Sequence, residues 1–136
     1  MIRFLDTNIC IYFLKGTHPL VRNRLMEYGP EDIKIPALVK AELLYGAAKS
    51  ARQEENEKHL ALFLEPFEIV PFDDNATARY ADIRSRAEVK GTPVGPNDLI
   101  IAATVLSRNG ILVTNNIREF QRIRDLLVEN WILENL

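Results

Sequence analysis

The chain of 136 residues fits one compact domain, residues 1–136, long enough to bury its own core. Hydrophobic residues at 47% and charged residues at 26% are a soluble globular balance, which excludes a low-complexity or disordered chain. A net charge of −2 weighs against binding nucleic acid through overall charge, so any such role must rest on local patches.

Ile2 to Leu5 is a short apolar run ending at Asp6 and reads as a buried strand. Thr7 to Lys15 follows as a helix that Gly16 stops, and Pro19 to Tyr28 as a second, closed by Gly29-Pro30. Asp32 to Pro36 reads as a strand. Ala37 to Ser50 begins a helix that Ala51 to Leu64 continues, with a break between them. Glu68 to Phe72 alternates like a strand, and Pro71 marks its end or a sheet edge. Asp74 to Lys90 is a helix capped by Asp73 or Asp74, and 91–96 is a loop with two glycines and two prolines. Asn97 to Asn109 is a helix apolar on nearly every side, hence buried. Ile111 to Thr114 is a strand, Phe120 to Leu127 a further helix, and Val128 to Trp131 a last short strand.

Strands alternating with helices imply βαβ units: an α/β fold, a three-layer α/β/α sandwich with a parallel sheet. Ligands of such folds bind beyond the carboxyl ends of the strands, so polar residues just after strands are the candidates for chemistry. The single Cys10 forms no intramolecular disulfide and calls for no oxidising compartment. Charge arrives too early for a signal peptide, and no apolar stretch reaches the roughly 18 residues of a membrane span. The expected location is cytoplasmic.

Three acidic residues stand out. Asp6 ends an apolar strand, where it reads equally well as a helix cap. Glu42 lies within Leu38, Val39, Tyr45 and Gly46 on a helix with little polar face, and a carboxylate buried there needs a partner. Asp98 opens the buried helix, where the helix dipole favours an acid and the sheet end is near. Thr114-Asn115-Asn116 follows the strand 111–113 and reads alone as a turn. Together these segments bring three carboxylates to one sheet end. They would raise one another's pKa, a conflict that a hard divalent cation removes. Oxygen donors without a His or Cys cluster suit Mg2+, with Mn2+ as a substitute. His18 and His59 lie far from these segments and read as surface or structural residues.

Four segments, in this order, resemble the PIN-domain family and its VapC-type toxins. They are Phe4-Leu5-Asp6-Thr7-Asn8, Ala41-Glu42-Leu43-Leu44-Tyr45-Gly46, the run from Gly91 to Ala102, and the run from Leu112 to Phe120. The resemblance implies a Mg2+-dependent endoribonuclease, a homodimer formed through the first four helices, and neutralisation by a small VapB-type antitoxin. It implies catalytic and metal-holding roles for Asp6, Glu42 and Asp98, and RNA, tRNA among it, as substrate. Thr7, Asn8, Thr114 and Asn116 are expected to orient the acids. Arg84, Arg86, Lys90 and Arg118, from two basic stretches, are candidates for phosphate contacts, although solvated helix faces explain each of them as well.

The chain departs from the pattern at Asn116, where many PIN domains carry a fourth acid; Glu119, one turn on, is a candidate substitute. Two other classes fit less well. A phosphatase of the haloacid dehalogenase type needs a second Asp where Asn8 stands, and a receiver-like signalling module needs a lysine where Thr114-Asn115-Asn116 stands. An RNA-processing nuclease outside any toxin pair, or a PIN domain that has become an interaction module, remains an alternative within the family. Asn116 is the only support for the second of these.

Overall fold

The computed structural model describes residues 1–132. Five strands and seven α-helices alternate among these residues: β1 (Arg3–Leu5), α1 (Thr7–Lys15), α2 (Pro19–Met26), β2 (Ile33–Pro36), α3 (Ala37–Ala48), α4 (Gln53–Leu64), β3 (Glu68–Val70), α5 (Asp74–Val89), α6 (Pro96–Ser107), β4 (Ile111–Val113), α7 (Ile117–Phe120) and β5 (Leu127–Glu129). A 3-10 turn, Pro30–Asp32, leads into β2. The strands form one sheet in the order β3-β2-β1-β4-β5, with every neighbouring pair parallel. The expected α/β sandwich is therefore present. The chain winds outward from β1 to β3 and returns to β4 on the other side of β1. That reversal opens a crevice between the ends of β1 and β4.

Local chemistry accounts for the element ends. Gly16 takes the left-handed conformation, φ 67°, that closes α1. Asp73 caps α5 by accepting from the Ala76 N–H at 3.1 Å. Pro96 occupies the first turn of α6, where a missing N–H costs nothing. The break between α3 and α4 is stitched by Ser50 Oγ, which donates to the Ala47 carbonyl and accepts from Asn56 Nδ2. Among the described residues no helix is long and apolar enough to cross a membrane.

One expectation fails. Helix is confined to 117–120, and 121–126 runs in turns with Asp125 at φ 68°. Phe120, Ile123 and Leu126 are all buried, so their three-residue spacing imitates a helix while serving an irregular segment. The last strand starts at Leu127 rather than Val128.

α6 is the spine of the core: Leu99 and every residue from Ile101 to Leu106 are buried. Phe4, Ile35, Leu112, Phe120 and Trp131 are fully enclosed in the same hydrophobic core, each worth roughly 1.5–3 kcal/mol in transfer from water. The sheet is tied at its β5 side by Arg3, which donates Nε and Nη2 to the two carboxylate oxygens of Glu129, both at 2.9 Å. Trp131 Nε1 donates to the same carboxylate, and its ring stacks on Tyr28 at 5.6 Å. Cys10 lies fully buried on α1, where loss of solvent and then the charge of Asp6 push its thiol far up.

Gly110 sets a sharp packing limit. A Cβ built there comes within 2.5 Å of the Phe4 ring and 3.0 Å of the Ile2 carbonyl. Gly110→Ala is expected to destabilise the chain by about 1–3 kcal/mol, read as a lowered midpoint in urea unfolding. An unchanged midpoint would show that Phe4 has room to move.

Candidate active site

The site grows from the carboxyl end of β1. Asp6 is buried, at 6% exposure, and its backbone N–H continues the sheet by donating to the Val113 carbonyl at 2.9 Å. One carboxyl oxygen accepts from the Thr7 N–H at 2.8 Å and the other from Thr114 Oγ1 at 2.7 Å. Burial pushes the Asp6 pKa up, these two donors pull it back, and the charge of Glu119 raises it again. Thr114, the residue after β4, also accepts from the Asn116 N–H at 3.0 Å. The two strand ends of the crevice are thereby joined through side chains.

Two arms extend from this centre. On the α3 side, Thr7 Oγ1 donates to Glu42 Oε1 at 2.9 Å, so the half-buried glutamate has the partner its surroundings demand. On the α6 side, Asn116 Nδ2 donates to Glu119 Oε2 at 3.0 Å and lies 3.5 Å from Asp98 Oδ2. Glu119 Oε1 accepts from the Gly95 N–H at 2.7 Å, which anchors the loop ahead of α6. Arg122 Nη1 holds the same loop by donating to the Pro93 carbonyl at 3.2 Å. A Cβ at Gly95 would lie 3.4 Å from Glu119 Oε1 and 3.9 Å from Asp98 Oδ2, so a small residue suits this approach.

Asp98 carries the strongest signature. Its pKa is pushed up to about 7, first by burial, then by the charges of Glu119 and Asp6, with Glu42 the smallest contributor. Glu119 is displaced the other way, held below the ordinary carboxylate range mainly by the Gly95 N–H and, further, by Asn116 and Asp98. A carboxyl group raised in this way by burial and by neighbouring acids marks a candidate functional site.

The sequence-expected acids Asp6, Glu42 and Asp98 thus belong to one electrostatic cluster, with Thr7, Thr114 and Asn116 in the network that orients it. Asn8 is exposed on α1 and takes no part in that network. Glu119, offered by the sequence only as a substitute acid, stands at the centre of the α6 arm. Gly95 and Arg122 were not among the candidates; the glycine before Pro96 was the only signal of a close approach. Arg84 donates to Glu88 and Tyr80, and Arg86 to Asp82, all on α5. No hydrogen bond or ion pair among the described residues ties Arg84, Arg86, Lys90 or Arg118 to the acids.

For a metal, the donor chemistry is hard and oxygen-only: His18 packs against the Tyr12 ring at 4.2 Å, and Cys10 is sealed in the core. As placed, the carboxyl groups spend their oxygens on one another and on neighbouring donors. Among the described residues no three Asp, Glu, His or Cys side chains already stand as a set that could hold an ion. The clustered charge that lifts Asp98 is nevertheless what a divalent cation relieves, so the donor set fits Mg2+ or Mn2+.

Comparison with known proteins identifies the family. The family model described as PIN domain matches residues 3–126. Ribonuclease VapC2 of Rickettsia felis is 42% identical over 132 residues, covering 96% of this chain and 98% of that one. The tRNA(fMet)-specific endonuclease VapC of Salmonella typhimurium is 38% identical, covering 96% and 99%. The crystal structure of VapBC2 from Rickettsia felis, bound to a DNA fragment from their promoter, superposes with a TM-score of 0.89 at 41% identity over 96% of this chain and 99% of that one. The chain belongs to the PIN-domain family and falls among its VapC ribonucleases.

Two outcomes follow for the site. In chelator, folding stability is expected to fall as pH rises from about 4 towards 7. Folded Asp98 holds its proton up to about 7, whereas the unfolded carboxyl releases it near 3.9. Asp6 shifts in the same direction, while the opposite contribution of Glu119 is lost only below the ordinary glutamate value. Asp98→Asn should flatten this dependence in urea unfolding at pH 5 and pH 8; a wild-type slope of the opposite sign would contradict the cluster. Thr114→Val leaves the second Asp6 carboxyl oxygen and the Asn116 N–H each without a partner, while the Thr7 N–H still serves the first oxygen, and should cost about 1–3 kcal/mol in the same assay.

Proposed function

We propose that the chain is a metal-dependent endoribonuclease and the toxin half of a VapBC-type toxin–antitoxin pair. The observation that carries this reading is the convergence of Asp6, Glu42, Asp98 and Glu119 at the sheet's switch point, in a chain whose relatives over nearly its full length are named ribonucleases. Asp6 and Asp98, assisted by Glu42 and Glu119, are the residues to hold Mg2+, with Mn2+ as a substitute. When bound, such an ion lowers the pKa of water and neutralises charge developing at phosphorus.

The remaining work falls to this chain's own groups. Glu42, steadied by Thr7, orients the attacking water or takes its proton. Thr114 and the Thr7 N–H keep the Asp6 oxygens aimed. Asn116 occupies the fourth acid's usual place without adding charge, and Glu119 supplies the carboxylate from one turn further on. The water attacks in line with the 3′ oxygen as leaving group, so the products are a 5′-phosphate and a 3′-hydroxyl, and because water is the nucleophile the RNA 2′-hydroxyl is not required. Lys90 and Arg118, both exposed, are the cations we assign to the RNA backbone; Arg84 and Arg86 would first leave Glu88 and Asp82.

The Salmonella relative's name supports tRNA as the substrate class. The Rickettsia complex supports a VapB-type antitoxin as partner, and a homodimer with a cytoplasmic location completes the reading.

The test is cleavage of total RNA by the purified chain with Mg2+, beside an EDTA control and the Asp98→Asn protein. Discrete cuts bearing 5′-phosphates, lost with EDTA and reduced more than ~100-fold by Asp98→Asn, are expected. Cuts ending in cyclic phosphate, or a native rate from Asp98→Asn, would refute the mechanism. No cleavage in any lane by folded, partner-free protein would favour an interaction module.

A further inference from the structure

Glu42 and Thr7 are the last members of the acid network on the α3 side, and the surface beyond them has no role in the chemistry above. Tyr45 stands one helical turn past Glu42 and is 65% exposed, while Leu43 and Ala47 on the same helix are buried. Its ring borders an open cleft of about 580 Å³ together with Thr7, Glu42, Asn97 and Lys49. The Lys49 ammonium lies over one face of the ring, 4.8 Å from its centre. A second hollow of about 470 Å³ shares Glu42, Gly46 and Lys49 with the first and continues to Lys15 and His59 over an apolar floor that includes Leu43 and Leu60. The two form one trough that leads away from the acids.

Gly46 sits where the hollows meet. It has no left-handed backbone to accommodate, and a Cβ built on it meets nothing within 4 Å. Neither turn geometry nor close packing accounts for a glycine there, and glycine weakens a helix. Its effect is to keep the trough open. Lys15 and Lys49 bring two positive charges to this channel against the single carboxylate of Glu42, although the whole chain carries −2. An exposed aromatic face, flanking cations and an apolar floor are the features by which proteins hold single-stranded nucleic acid.

Resting on the endoribonuclease reading, we propose that Tyr45 is the base-stacking platform of the enzyme. A nucleotide next to the scissile phosphate lays its base on the face of the Tyr45 ring that Lys49 does not cover, with its phosphate drawn towards that ammonium, and the strand continues over Gly46. Tyr45 is then a specificity residue that selects unpaired nucleotides, since a base inside a duplex offers no free face.

The experiment uses the full chain and a short single-stranded RNA carrying 2-aminopurine, whose fluorescence is quenched by stacking. Binding is measured in the Asp98→Asn background, and cleavage of total RNA in the otherwise native chain. Tyr45→Leu, which keeps apolar bulk and loses the ring, is expected to abolish quenching, weaken binding about 5- to 100-fold, and raise KM more than it lowers kcat. Tyr45→Phe is expected to stay within about twofold of the parent on every count. Gly46→Leu, which fills the trough with a good helix former, should weaken binding while leaving thermal unfolding near the parent's. Equal quenching and affinity for the parent and Tyr45→Leu would overturn the assignment while RNA cleavage by the parent still stands. So would a Tyr45→Leu chain that cleaves normally but escapes inhibition by its protein partner, since the trough would then belong to that partner. Absence of cleavage by the parent itself would remove the endoribonuclease reading and this assignment with it.

Discussion

Taking the Asp6 carboxylate out of water costs free energy that two hydrogen bonds offset, one from the next residue's N–H and one from Thr114, 108 positions away in sequence. The second bond can form only if β1 and β4 lie side by side with their ends level. The parallel register pairing Leu5 with Val113 provides that. Once Thr114 donates to Asp6, its remaining acceptor capacity fixes the Asn116 N–H, and the turn after β4 is aimed at α6. A single buried charge thus couples sheet register, turn geometry and the approach of α7 to the loop before Asp98.

The energetics of the cluster are opposed by design. The hydrogen bonds around Asp6, Glu42 and Glu119 stabilise local geometry, while the accumulation of negative charge destabilises it and lifts Asp98. The hydrophobic framework tolerates this because α6 is anchored in the core from Leu99 to Leu106, which limits how far the turn that carries Asp98 can move to relieve the repulsion. A rigid helix that presents a carboxyl group to other carboxyl groups keeps repulsion in the resting protein. A divalent cation binding there would be favoured by the release of that repulsion.

Much of this was legible in the chain. An apolar run ending in Asp6 and a wholly apolar helix opened by Asp98 identify positions where a polar group is costly, and cost is what makes such residues conspicuous. Glu42 was conspicuous for the same reason, but its partner was not, because the Thr7 contact joins α1 and α3 through tertiary packing. The loop at 91–95 carries no periodic signal, so the bond from Gly95 to Glu119 could not be seen in advance. Arg84 and Arg86 read in the sequence as part of a basic stretch. Glu88 and Asp82 stand four residues from them on one helix, a spacing that favours pairing along that helix. The helix expected over 120–127 failed because burial of Phe120, Ile123 and Leu126 constrains which residues face inward without constraining the backbone between them.

Cys10, enclosed on α1 directly behind Asp6, has a consequence for how the protein meets its surroundings. A thiol held far above its ordinary pKa and shut away from solvent is a poor nucleophile for disulfide exchange, alkylation or peroxide. The carboxylate chemistry in front of it involves no change of oxidation state. Shifts in redox poise therefore find no reactive sulfur beside the acids, and thiol reagents should reach this cysteine only in molecules that have already lost their fold.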